Sequence, residues 1–186
     1  MLNEKIKHTP SDIRIDSFAK EFKELDSLIT PHMDDYPEFL LLLALYGFKM
    51  ENFIPLGQKD STGETHNISR TVHQRAETFC ESSYGLITIL DNLDKDYSEV
   101  INNRAFARMT DTGLGFSRLP NIQAFYGYLI GGIKPFFDDI FEIGSSEESV
   151  ARRLYDLIME DDTEINKLVE QLILELDVEN DEKGKL

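Results

Sequence analysis

Apolar residues recur along most of this chain at helical spacing, but one run breaks the pattern by being apolar all round. From Pro37 through Phe39, Leu40, Leu41, Leu42, Leu43, Ala44, Leu45 and Tyr46 to Gly47 there is hardly a polar position. A helix apolar on every side is enclosed by protein or by lipid. About 20 apolar residues are needed to cross a bilayer, and this run has about half that. Asp34 and Asp35 precede it and Lys49 and Glu51 follow it. The expectation is a buried helix over about 37–47 on which the other helices pack. Pro37 suits its first turn and Gly47 its end.

Before it, Phe18, Phe22, Leu25 and Ile29 mark an amphipathic helix that Ser11 or Ser17 caps and that stops near Thr30-Pro31. After it, Asn52 to Thr65 reads as a loop. A longer helix is expected from about Asn67 to Leu93, with Ile68, Val72, Phe79, Ile87 and Leu90 on its apolar side and Gly85 as a point of close approach or bending. Asn92 to Asp96 breaks it. Tyr97, Val100, Ile101, Ala105 and Met109 mark the next helix.

Thr110 to Pro120 is a second loop. Asn121 caps a helix over Ile122 to Ile130, and Gly131, Gly132 and Pro135 interrupt what would otherwise run on to Ile143. Gly144 ends that segment. Ser145 with Glu148 forms a capping box for a helix using Val150, Leu154, Leu157 and Ile158. The last helix carries Ile165, Leu168, Val169, Leu172, Ile173 and Leu176. Ile13-Arg14-Ile15 alternates but is too short to count as a strand.

The fold class that follows is all-α, a compact bundle of about seven or eight helices packed around the apolar helix. The expected organisation is a flexible arm over 1–10, one helical domain over 11–177 and a charged tail over 178–186. At 186 residues such a chain buries roughly two thirds of the surface it exposes when unfolded, enough for a core without metal or disulfide. Its single cysteine, Cys80, makes no intramolecular disulfide, and no signal-peptide core is visible at Met1 to Lys7. The expectation is a cytoplasmic protein with no transmembrane span.

Charge changes the picture most. The formal net charge is -16, which argues against nucleic-acid phosphate or an anionic membrane as a partner. It fits a basic protein partner, a protein that occupies a nucleic-acid-binding surface, or acidity that serves solubility alone. From Asp138 to Glu182 the acids are opposed only by Arg152, Arg153 and Lys167.

Among residues able to carry chemistry, His66, Arg70, His73 and Glu77 stand out. On one continuous helix they fall within roughly 60° of one another, with Ile68, Val72 and Phe79 opposite. Such a stripe is either a solvated face or a site, with an imidazole steadied by a carboxylate one turn away. A metal would need a third protein ligand, and none is specified, so no cofactor is expected. Cys80 has no basic neighbour to activate it and reads as a packed thiol. Phe116 and Arg118, in the Gly113-Leu114-Gly115 loop, could grip a carboxylate, or Phe116 and Leu119 could tuck into the core. Tyr126, Tyr128, Phe136 and Phe137 read as core.

Two helical enzyme patterns are excluded. HEPN ribonucleases place four to six residues between an Arg and a His, and only two separate Arg70 from His73. Helical nucleoside triphosphate pyrophosphatases pair a Glu-x-x-Glu with a second acidic motif on the following helix. Glu21 and Glu24 match the first half, but the apolar helix supplies no second.

The function expected is a protein-binding regulatory module acting on a basic partner. In type it is comparable with immunity proteins, antitoxins and nucleic-acid mimics. Glu160, Asp161 and Asp162 are the candidate steering residues, and a homodimer is compatible with these features. The alternative is a small helical enzyme or ligand-binding protein using the His/Arg/Glu stripe, with or without a metal shared by His73 and Glu77.

Overall fold

A computed structural model describes residues 11–142, 148–150 and 152–153. The chain divides into two compact units, residues 1–139 and 140–186. The first unit holds nearly every described element. The expected arm over 1–10, the capping residue Ser145, the apolar stripes from Leu154 to Leu176 and the tail over 178–186 lie outside the described residues.

The protein is mostly helical, in keeping with an all-α bundle of seven or eight helices. The helices of the first unit are α1 (Ala19–Ile29), α2 (Tyr36–Lys49), α3 (Arg70–Arg75), α4 (Glu77–Leu90), α5 (Tyr97–Val100), α6 (Met109–Thr112) and α7 (Pro120–Glu142). The last of these runs on into the second unit. A π-helical segment, Ile101–Ala105, continues α5, and 3-10 turns cover Thr30–His32 and Phe116–Arg118.

A short ribbon corrects the dismissal of Ile13-Arg14-Ile15. Strand β1 (Ile13–Ile15) pairs antiparallel with β2 (His66–Ile68), in the register Ile13 to Ile68, Arg14 to Asn67 and Ile15 to His66. Ile13, Ile15 and Ile68 are buried. Three residues suffice because every apolar position of the ribbon is buried and β2 packs on α1. Nor does either candidate serine cap α1. Ser17 donates its hydroxyl to the Gln58 carbonyl at 2.6 Å. The helix instead enters through Phe18 in the left-handed region (φ 58°). The Phe18 N–H is held by Asp60 Oδ2 at 2.7 Å.

Helix α2 forms where the apolar run predicts it. The Asp35 carboxylate accepts from the Tyr36 N–H at 2.9 Å, and Pro37 occupies the first turn, where no N–H is missed. Its buried side is Pro37, Phe39, Leu40, Leu43, Ala44 and Gly47. Each fully buried large side chain there contributes about 2 kcal/mol. Leu41 and Leu42 are half-buried and Leu45 is exposed, so the enclosure is one-sided rather than complete. The helix also runs past Gly47, which is no terminator.

Gly47 serves contact. A Cβ there would stand 2.0 Å from the Tyr128 carbonyl oxygen, and one on Gly132 would stand 2.1 Å from the Leu43 carbonyl oxygen. Helices α2 and α7 therefore meet backbone to backbone, which only glycine permits at such distances. The expected interruption at Gly131, Gly132 and Pro135 does not occur, and α7 is continuous from Pro120 to Glu142.

The helix expected over Asn67 to Leu93 is broken instead. Its first residues form β2, Ser69 caps α3, and at Ala76 (φ -121°, ψ 41°) the chain turns before α4 begins. The break shifts the phase of everything after it. Cys80, Ser83, Tyr84 and Ile87 face inward and Phe79 faces out.

Candidate functional site

The four residues of the predicted stripe are not brought onto one helix face. His66 sits on β2, half-buried, its ring tilted against Phe22 at 4.9 Å between centroids. Burial lowers its pKa from the usual imidazole value. Arg70 begins α3 with an exposed side chain, its backbone N–H donating to Asp12 Oδ1 at 2.8 Å. Glu77 opens α4, exposed, where a carboxylate complements the positive end of the helix dipole. His73 alone points into the core, 3% exposed.

What His73 meets there was not legible in the pattern. Its Nδ1 lies 2.5 Å from the Tyr84 hydroxyl of α4. Its Nε2 lies 3.4 Å from the Tyr126 hydroxyl of α7. The edge of Phe116 closes a third side, at 5.0 Å between centroids. A neutral imidazole has one donor and one acceptor nitrogen, and each phenol can play either part. Both ring nitrogens of His73 are thus met by phenols.

Burial pushes His73 down to about 4 and drives the phenols of Tyr84 and Tyr126 far up. All three are therefore neutral near pH 7. The arrangement is a buried polar hub that joins α3, α4 and α7. With Tyr84 4% and Tyr126 0% exposed, the hub is enclosed by protein. Sequence reasoning placed Tyr126 in the core but could not pair it with His73, because the partners are 11 and 53 residues away.

The second candidate pair also separates. Phe116 is half-buried and turned toward His73, whereas Arg118 is exposed. Leu119 is 3% exposed, so this loop behaves as a helix connection packed into the core. Glu160, Asp161 and Asp162 lie outside the described residues. Cys80 is 4% exposed, and burial raises its thiol pKa, which keeps it protonated and unreactive.

Among the described residues, no three His, Cys, Asp or Glu side chains converge where a metal ion could be held. A shallow depression lined by Pro37, Leu40, Phe79, Cys80, Tyr84 and Phe125 has no room for a water-sized sphere.

Exposed apolar surface is more prominent. Phe79 and Leu86 on α4 are 39% and 43% exposed, and Leu93, in the turn after it, is 72% exposed. Tyr97 and Phe106 from the next segment are exposed as well. Phe106 lies across Gly85, where a Cβ would meet its ring at 2.6 Å. What approaches Gly85 is thus a side chain, where its sequence position suggested another helix or a bend. Among the described residues no helix is long and apolar enough to cross a membrane, so this surface is not part of a helical span. Compared with known protein families, curated proteins and solved structures, the chain matches none.

Proposed function

We propose that this protein is a cytoplasmic protein-binding module of regulatory type, acting on a basic partner. The observation that carries the reading is the exposure of large apolar side chains, Phe79, Leu86, Leu93 and Phe106 among them, on a chain of net charge -16. Apolar anchors supply affinity when desolvated, and surrounding charge supplies rate and partner choice. The His66, Arg70, His73 and Glu77 reading receives no comparable support, since those side chains are spread over β2, α3 and α4 and His73 is enclosed.

The experiment is capture on the immobilised full-length protein, followed by rebinding of the purified partner in stopped flow at low and high salt. The expected partner is basic, and its association rate falls steeply with salt. Neutralising Glu160, Asp161 and Asp162 together lowers that rate at low salt. A purified partner whose association ignores both salt and these charges would sink the reading.

A further inference from the structure

Resting on that reading, we infer that the outward face of α4 is the docking surface, and that its occupant is a basic amphipathic helix of the partner. Phe79 and Leu86 stand seven residues apart, so they share one side of the helix to within about 20°. Leu93 extends the line into the turn. Phe106, seated on Gly85, widens the strip beside Leu86. From Ser82 to Leu90 the helix carries no charged residue. Large apolar side chains at heptad spacing on a solvent-facing helix match the surface that a second helix covers. The 14 residues of α4 offer about 21 Å of length, or four turns of a partner.

Charge selects the occupant. Between Glu77 and Glu99 the acids are Glu77, Glu81, Asp91, Asp94, Asp96 and Glu99, and the only base is Lys95. Lys95 donates to Asn92 Oδ1 at 2.5 Å. Arg108 pairs with Glu81 and Arg104 with Glu99, both at 3.1 Å. Of the rest, Glu77 opens α4, Asp91 accepts from the Tyr128 hydroxyl at 2.5 Å, Asp96 accepts from the Glu99 N–H at 2.9 Å, and Asp94 lies between these two. The acids therefore gather at the two ends of the helix, three of them beside the negative pole of its dipole. A second copy of this chain would set the same acids against them. A helix with lysines or arginines bordering an apolar seam meets both features.

The test uses full-length protein and a synthetic four-turn peptide, with leucine at the a and d heptad positions and lysine elsewhere. Fluorescence anisotropy at low salt should show one-to-one binding. The pair Phe79→Ser and Leu86→Ser should weaken it about tenfold or more. The control pair Leu45→Ser and Met50→Ser, exposed elsewhere, should leave it unchanged. Circular dichroism verifies that each variant is folded. On the wild type, peptide-induced amide shifts should concentrate between Glu77 and Leu93, a readout independent of any variant.

Peptide binding that survives the α4 pair, with shifts elsewhere, overturns the docking face and leaves the proposed function standing. No binding to wild type overturns the inference, and the capture experiment then judges the proposed function separately. Sedimentation showing self-association that the α4 pair abolishes also overturns it, in favour of a second copy.

Discussion

The side-chain amide of Asn52 donates at 2.8 Å to the carbonyl of Gly131, the oxygen that Pro135 deprives of its helical donor. Proline has no N–H and crowds the carbonyl four residues before it. Here that carbonyl is met from outside α7. The neighbouring Ile54 N–H reaches Gly127 O at 3.0 Å, so Asn52 to Ile54 lies along α7 as a strap. Asn52→Ala should cost about 1–3 kcal/mol by leaving a buried acceptor unmet. In a Pro135→Ala background the helix supplies its own donor, and the cost of Asn52→Ala should shrink. A double-mutant cycle in urea that gives purely additive effects would refute this coupling.

The surroundings of Gly47 and Gly85 predict different outcomes for two glycine substitutions that helix propensity alone would treat alike. Alanine is favoured over glycine in a helix by about 1 kcal/mol. At Gly47 the new methyl would meet the Tyr128 carbonyl, which is backbone and cannot swing away. Gly47→Ala should therefore destabilise by about 2–3 kcal/mol. At Gly85 the obstacle is the half-exposed ring of Phe106, which can rotate. Gly85→Ala should stay within about 1 kcal/mol of the parent. Thermal melts of both variants decide whether the crossing is as close as described.

Acid should loosen the core through His73. Its pKa is pushed from 6.5 down to about 4 by burial, so the folded state holds it neutral. Above pH 6.5 the ring is neutral in both states and contributes no pH dependence. As the pH falls from 6.5 toward 4 the unfolded chain takes up a proton that the folded one refuses. Stability drops by roughly 3 kcal/mol over that window. The carboxylates titrate as well, so the quantity to measure is the difference between wild type and His73→Gln in urea at pH 7 and pH 4.5. Equal pH slopes for the two proteins would mean that His73 is not held neutral.

The polar hub also makes an asymmetric prediction. Tyr84→Phe removes the 2.5 Å partner of His73 and should cost about 1–3 kcal/mol by stranding a buried ring nitrogen. Tyr126→Phe removes the longer contact, at 3.4 Å, and should cost less. Chemical denaturation of the two single variants ranks them directly, and the reverse order would show that Tyr126 is the principal partner.

The sequence by itself determined the helical class, the place of α2 and the acidity, because these are properties of local periodicity and composition. The run from Pro37 to Gly47 reads as a helix from its own residues, with Asp35 and Pro37 at its start. Periodicity could not show where a helix would be cut or which glycine would serve contact. Gly47 read as a terminator and Gly131, Gly132 and Pro135 as a break, yet Asn52 and the backbone of α2 make α7 continuous there. Ile13-Arg14-Ile15 became a strand only because His66 to Ile68 was carried alongside it. The stripe of His66, Arg70, His73 and Glu77 was drawn on a helix that the turn at Ala76 divides. That turn sent His73 inward to Tyr84 and Tyr126 and left Phe79 and Leu86 facing solvent. Tertiary structure decided these points because each depends on a partner far away in the chain, and spacing along one segment carries no record of the surface it will meet.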